Sequence, residues 1–203
     1  ACEIMWIDTD LLLTWGAVAK KHDKNEFIFR EGEESRFYFQ IIEGRVKMCC
    51  FNEEGREFWQ GDFCKGESFG EPPLFANERY PANAITETGS IIIKISKITL
   101  FKLLDEYPDL RKEVIYTLAK RLVMKATLMK ELFSQHPRIR ILSFLQRYKK
   151  EHLRPTPTPT QLIPYTRQDI ANFTGLRVET VIRTIKLLDK EGLVMIKNRK
   201  LYY

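Results

Sequence analysis

The sequence is short of the residues on which most catalytic and metal chemistry depends. Its 203 residues include 3 histidines and 4 cysteines. His22, His136 and His152 lie outside the strands expected for the first half, so no histidines converge with a carboxylate as a catalytic metal site requires. Cys2, Cys49, Cys50 and Cys64 contain no C-x-x-C spacing, which removes the common zinc and dithiol motifs. Cys49 and Cys50 are neighbours on an expected strand and face opposite sides of it. Reduced, structural thiols in a cytoplasmic protein are the expectation. No Ser-His-Asp arrangement or phosphate-cradling glycine loop is legible, so an enzyme is not expected and no metal is predicted. No apolar run reaches the roughly 20 residues that cross a bilayer, and no secretory signal is visible, so no membrane partner is expected.

Charge is plentiful and unevenly placed. The chain is 30% charged and 44% hydrophobic, as in soluble globular proteins, and its length suits two domains better than one. From Pro137 to Tyr203 there are 14 Lys+Arg against 5 Asp+Glu, a net of +9; the whole chain is +6, so residues 1–136 carry −3. A basic C-terminal third on an acidic remainder points to the phosphates of double-stranded DNA as its partner.

Within that third, Thr166 to Val194 reads as two short helices, a tight turn between them, and a strand. Thr166 followed by Asp169 is a capping-box pattern with an acidic third residue. Gly175 supplies the residue free to take positive φ in the turn. Val181, Ile185 and Leu188 recur at i, i+4 and i+7 and form one apolar stripe. Glu179, Arg183 and Lys186 lie opposite, where Glu suits cytosine and Arg suits guanine in a major groove. Arg177 offers no good side-chain cap to this second helix, at a cost of about 1 kcal/mol. Gly192 ends the helix, and Leu193 to Ile196 begin a strand. Asn198-Arg199-Lys200 reads as a basic turn able to touch phosphates. The alternative is an amphipathic hairpin whose charged face is merely solvated.

The first half reads as short strands punctuated by glycine: Phe27–Arg30, Arg36–Ile42, Val46–Phe51, Glu57–Trp59 and Ile91–Ile95, a pattern suited to a small barrel or sandwich. Tyr107-Pro108 breaks one helix, and Pro108 starts another that meets no Pro or Gly before Phe133. Ile115, Leu118, Leu122, Met129 and Leu132 fall on its a and d positions, with Lys125 as the polar interruption, a seam suited to a two-stranded coiled coil. A helix packed only on its own β domain is the alternative. Pro137 marks a hinge, and Arg138–Lys150 is expected as a helix with Ile139, Ile141, Leu142 and Leu145 inward. The tract Pro155 to Thr160 is a stiff, extended loop. The expected division is 1–107, 108–136 and 137–203.

Taken together, these segments resemble the cAMP receptor protein/FNR (Crp/Fnr) family of bacterial transcription regulators. The resemblance is carried by Thr166, Arg167, Gln168, Asp169, Ile170, Ala171, Gly175, Glu179, Thr180, Val181 and Arg183. In the first half it is carried by Arg30-Glu31-Gly32-Glu33, Ile42-Glu43-Gly44-Arg45-Val46, Gly61-Asp62-Phe63 and Ser68-Phe69-Gly70-Glu71. It covers about Phe27 to Tyr203. It implies an α+β chain: an N-terminal double-stranded β-roll of the cyclic-nucleotide-binding, jelly-roll type, a long dimerisation helix, and a C-terminal winged helix-turn-helix. It implies a homodimer on palindromic DNA, with RNA polymerase as a further partner. Glu179 and Arg183 then read bases, while Thr166, Arg167 and Gln168 lie near the DNA backbone. Arg177, Thr180, Lys186, Arg199 and Lys200 complete the expected DNA surface. Arg177-Val178 and Ile182 depart from both named relatives, so the operator need not be theirs.

The resemblance also points to an effector site at Phe69, Gly70, Glu71, Arg79, Tyr80, Pro81 and Ala82. In relatives that bind a cyclic nucleotide, a Gly-Glu pair holds the ribose and an Arg-Ser pair the phosphate. Gly70 and Glu71 match the first pair, whereas Tyr80-Pro81 falls where the second belongs. Pro72-Pro73 removes two donors where a short helix would begin. The cofactor is therefore left unassigned. A cyclic nucleotide, haem bound through His22, a redox change, another small molecule, or constitutive action are the readings, with a cupin-like enzyme as the remote one. An FNR-type iron–sulfur cluster is not expected, because Cys2 is the one cysteine near the start.

Overall fold

The computed structural model describes residues 7–133, 136–152 and 160–203, so Cys2 and the prolines of the 155–160 tract lie outside the described residues. The chain divides into two compact units, with the division between Leu122 and Val123, inside the long helix.

The first unit contains α1 (Thr9–Thr14), β1 (Val18–His22), β2 (Phe27–Phe29), β3 (Phe37–Glu43), β4 (Arg45–Phe51), β5 (Glu57–Cys64) and β6 (Ser68–Phe69). After these come α2 (Glu71–Ala76), β7 (Asn83–Thr86), β8 (Ser90–Ser96), α3 (Lys97–Glu106) and the start of α4 (Pro108–Phe133). Two four-stranded antiparallel sheets, ordered β1-β8-β3-β6 and β2-β7-β4-β5, make the expected roll. The chain passes from one sheet to the other in a single residue, Gly44, at φ +95°, where a Cβ would lie 2.2 Å from Ser90 Oγ. Only glycine fits that crossing.

Two apolar cores result. Phe29, Phe39, Ile41, Val46, Phe69, Tyr80, Ala84 and Ile92 fill the inside of the roll. Leu12, Tyr38, Ile93, Ile95, Leu100, Leu103, Leu104 and Val114 join α1, α3 and the start of α4 to the other face of the β8–β3 sheet. Alternation along β8 separates the sets, since Ile92 faces one core and Ile93 and Ile95 the other.

Several elements differ from expectation. α1, β1 and β7 were not anticipated, and β5 runs on through Gly61 to Cys64. His22 therefore ends a strand of the roll rather than lying outside it. α2 forms despite Pro72-Pro73, because the first-turn N–H groups of a helix have no intrahelical partner to lose.

The second unit holds α5 (Pro137–His152), β9 (Leu162–Ile163), α6 (Arg167–Thr174), α7 (Val178–Lys190), β10 (Met195–Lys197) and β11 (Lys200–Tyr202). The small sheet is ordered β10-β11-β9. α5 buries Ile141, Phe144 and Leu145, while Ile139 is exposed. That corrects the expected inward set: the stripe is Ile141, Phe144, Leu145 and Tyr148, at i, i+3, i+4 and i+7. Phe144 and Tyr148 pack edge-on against Tyr165, and Phe173 closes the aromatic cluster.

Candidate DNA-reading face and effector cassette

The helix-turn-helix is assembled by local rules. Thr166 Oγ1 accepts from the Asp169 N–H at 3.1 Å, and Asp169 Oδ2 accepts from the Thr166 N–H at 2.8 Å, so the capping box closes in both directions. Gly175, at φ +65°, ends α6. α7 starts after Arg177, whose side chain makes no cap bond. Val181, Ile185 and Leu188 are fully buried, each worth about 1.5–3 kcal/mol of apolar transfer, and they seat α7 on α5 and α6. Arg140 Nη1 donates to the Thr174 carbonyl at 3.3 Å, and Arg138 pairs with Glu191 just past the end of α7. Asp189 Oδ1 accepts from the Ile196 N–H at 2.9 Å, which ties the wing to α7.

This scaffold leaves Glu179, Arg183 and Lys186 exposed along one side of α7. Thr180 is half-buried, and Val178 and Ile182 sit one turn apart beside the charged row, with Ile182 39% exposed. Thr166 caps α6, Arg167 opens it half-buried, and Gln168 Nε2 donates to Asn172 Oδ1 at 2.9 Å. Burial lowers the pKa of the Arg167 guanidinium from its usual value. In the wing, Asn198 and Arg199 take φ of 51° and 62°, the positive-φ pair of a type I′ hairpin, and hold Arg199 and Lys200 outward. Lys197, opposite Lys200 in the ladder, is a third exposed cation there, beyond the expected Arg199 and Lys200.

The effector cassette is arranged differently from a ready anion site. Glu71 is completely buried, and both its oxygens accept from Arg121 Nη1 at 2.9 Å. Arg121 Nη2 donates to the Ser68 carbonyl at 2.8 Å, and the guanidinium lies 5.3 Å from the centre of the Phe63 ring. Arg121 was missed in the sequence, where 50 residues separate it from Glu71; the one available hint was that a buried carboxylate demands a cation. Tyr80 is buried, stacked on Phe29 with ring centres 3.6 Å apart, and its hydroxyl donates to the Phe37 carbonyl at 3.4 Å. Burial pushes the Tyr80 phenol above its usual range. Gly70, at φ +76°, lies against that stack: a Cβ there would be 3.0 Å from Phe29 and 3.3 Å from Tyr80. Arg79 is exposed, donating to the Gly32 carbonyl at 2.7 Å and lying 3.9 Å from Glu34. Phe69 and Ala82 are buried, and Pro81 is exposed. The structure thus brings Phe69, Gly70, Glu71 and Tyr80 together, while Arg79 bonds to Gly32 and Glu34 instead of Glu71.

On α4, Ile115, Leu122 and Met129 are 61%, 69% and 72% exposed. Leu118 and Leu132 are half-buried, Leu118 against the α1–α3 core, and Lys125 is exposed. His22 Nδ1 lies 2.8 Å from Glu26 Oε1. Cys49, Cys50 and Cys64 are free thiols, and burial, reinforced by Glu57, pushes the Cys49 thiol up to about 12.

Residues 19–107 match the cyclic nucleotide-binding domain family, and residues 139–202 match the Crp-like helix-turn-helix domain family. The chain is 24% identical over 181 residues to the fumarate and nitrate reduction regulatory protein of Salmonella typhi, covering 89% of this chain and 72% of that protein. Among solved structures it is similar to the c-di-GMP responsive global regulator CLP of Xanthomonas campestris, with a TM-score of 0.77 and 22% identity over 95% of this chain and 96% of that one. It is also similar to a CooA mutant from Carboxydothermus hydrogenoformans, with a TM-score of 0.81 and 17% identity over 94% and 84% of the two chains. These structural likenesses speak to the fold.

Proposed function

This chain belongs to the Crp/Fnr family of DNA-binding transcription regulators, which are not enzymes, and on that premise we propose that it acts as a homodimer placing α7 of each subunit in a major groove of a palindromic operator. The observation that carries this reading is the two-faced α7, which is sealed by Val181, Ile185 and Leu188 and presents Glu179, Arg183 and Lys186 outward. Glu179 accepts from a cytosine amine, Arg183 donates to guanine O6 and N7, and the apolar edge of Val178 and Ile182 suits a thymine methyl. Thr166, Arg167, Gln168, Arg177, Thr180, Arg199 and Lys200 position the unit on the phosphates. The exposed apolar row of Ile115, Leu122 and Met129, with Leu118, Lys125 and Leu132 along the same seam, is the proposed dimer contact. RNA polymerase is the further partner, and the cytoplasm the place of action. Arg183→Ala should weaken a selected operator by about 1–3 kcal/mol and leave random DNA nearly unchanged in a binding titration. An equal loss on both refutes base reading by Arg183.

A signal received at the roll controls DNA binding on this reading, and a cyclic nucleotide in the cassette is not the signal. Glu71 already has Arg121 across both oxygens, Tyr80 occupies the neighbouring interior, and Arg79 bonds outward to Gly32. Calorimetry with millimolar cAMP should give no saturable heat, and a saturable isotherm contradicts the proposal. Haem and redox sensing are less favoured: His22 is engaged by Glu26 and its side chain is 11% exposed, and the buried Cys49 holds its proton to about 12.

A further inference from the structure

A groove of about 820 Å³ opens in the roll, lined by residues of the edge strands β1 and β2 and of the central strands β3 and β8. That volume lies within the range of small-molecule sites. Most of its charges are matched locally. Lys20 and His22 both engage Glu26, and Arg36 and Arg79 both engage Glu34. Glu31 and Glu33 are exposed at the rim. Two cations remain, one on each wall, and each lies over an aromatic ring. The Arg30 guanidinium is 3.7 Å from the centre of Phe27 in β2, and the Lys94 ammonium is 4.7 Å from the centre of Phe37, across the sheet from β8. Among the described residues, neither has a carboxylate partner. Lys94 is half-buried on the inward face of a central strand, where an uncompensated charge is retained only at a cost. The floor is the stacked Phe29–Tyr80 pair.

We propose that this groove, rather than the Glu71 cassette, is the effector site, and that it takes a planar aromatic carboxylate. The ring lies along the aromatic walls and floor, while the carboxylate meets Arg30 and Lys94. The same floor presses on Gly70, and the next residue, Glu71, is held by Arg121 of α4. A ligand that shifts the Phe29–Tyr80 stack therefore acts on the ion pair that ties the roll to the long helix.

This inference rests on the reading of the chain as a signal-controlled regulator, and one titration series separates the two. Full-length protein is titrated with 2-naphthoate, with its neutral analogue 2-naphthalenemethanol, and with the non-aromatic cyclohexanecarboxylate. Saturable binding of one naphthoate per chain is expected, with each control at least about tenfold weaker. Lys94→Met and Arg30→Met should each weaken naphthoate by about tenfold, without lowering the melting temperature of the ligand-free protein. Naphthoate should also shift operator affinity severalfold. Arg183→Ala should leave naphthoate binding intact, so a failure of base reading is distinguishable from a failure of the groove. Absence of saturable naphthoate binding, binding indifferent to both methionine variants, or binding that leaves operator affinity unchanged overturns the proposal.

Discussion

Away from its groove, the roll has charged side chains that answer one another: Lys47 meets Glu57 at 2.6 Å, Arg45 meets Asp62, and Arg121 closes on the buried Glu71. In the winged unit, Arg177, Arg183, Lys186, Arg199 and Lys200 all point outward, and among the described residues none of them has an ion pair. The two regions use the same residue types for opposite ends. A charge paired inside a fold mainly fixes conformation, since its desolvation roughly cancels its attraction. A charge left in solvent is available to a partner, and here its positive sign complements the negative charge of phosphate.

The largest effect is expected at Glu71. Arg121→Met leaves a fully buried carboxylate without its cation and should cost about 3–5 kcal/mol in chemical unfolding of the purified protein. Adding Glu71→Gln should restore most of that loss. If the single variant unfolds like the wild type, the pair is not the structural lock described. A smaller effect is expected at the wing, where no internal partner is lost. Arg199→Ala with Lys200→Ala should leave stability unchanged, weaken all DNA alike, and lower the salt slope of binding by about 2. Altered sequence preference in that variant would mean that the wing reads bases.

The same contrast explains how much was legible in advance. α7 and its approach could be read because their determinants are local: the Thr166–Asp169 box, Gly175, and the Val181, Ile185, Leu188 stripe lie within a few turns of one another. α4 was readable as an unbroken helix from Pro108 to Phe133 for the same reason. The roll was legible as a class but not strand by strand. β7, Asn83–Thr86, has no apolar alternation because it is buried on both sides between β2 and β4. Its polar side chains are satisfied by distant backbone. Asn83 Nδ2 donates to the Cys49 carbonyl at 3.3 Å, and Thr86 Oγ1 donates to the Asp23 carbonyl at 2.5 Å. β1 is an exposed edge strand, Val-Ala-Lys-Lys-His, whose polar composition gives no burial signal. The Glu71–Arg121 pair and the Arg30–Lys94 groove exist only once the strands have closed. Even within the winged unit, Ile139 was mistaken for core because four apolar residues near the start of α5 offer two overlapping stripes, and the aromatic partners Tyr165 and Phe173 select the one through Phe144.

The central claim, a two-fold symmetric reader of DNA sequence, is tested most directly by selecting duplexes from a random pool with the purified protein and sequencing those retained. The retained duplexes should share a palindrome whose two half-sites lie about one helical turn, near 34 Å, apart. Retained duplexes with no shared sequence, or with a single unrepeated half-site, would contradict it.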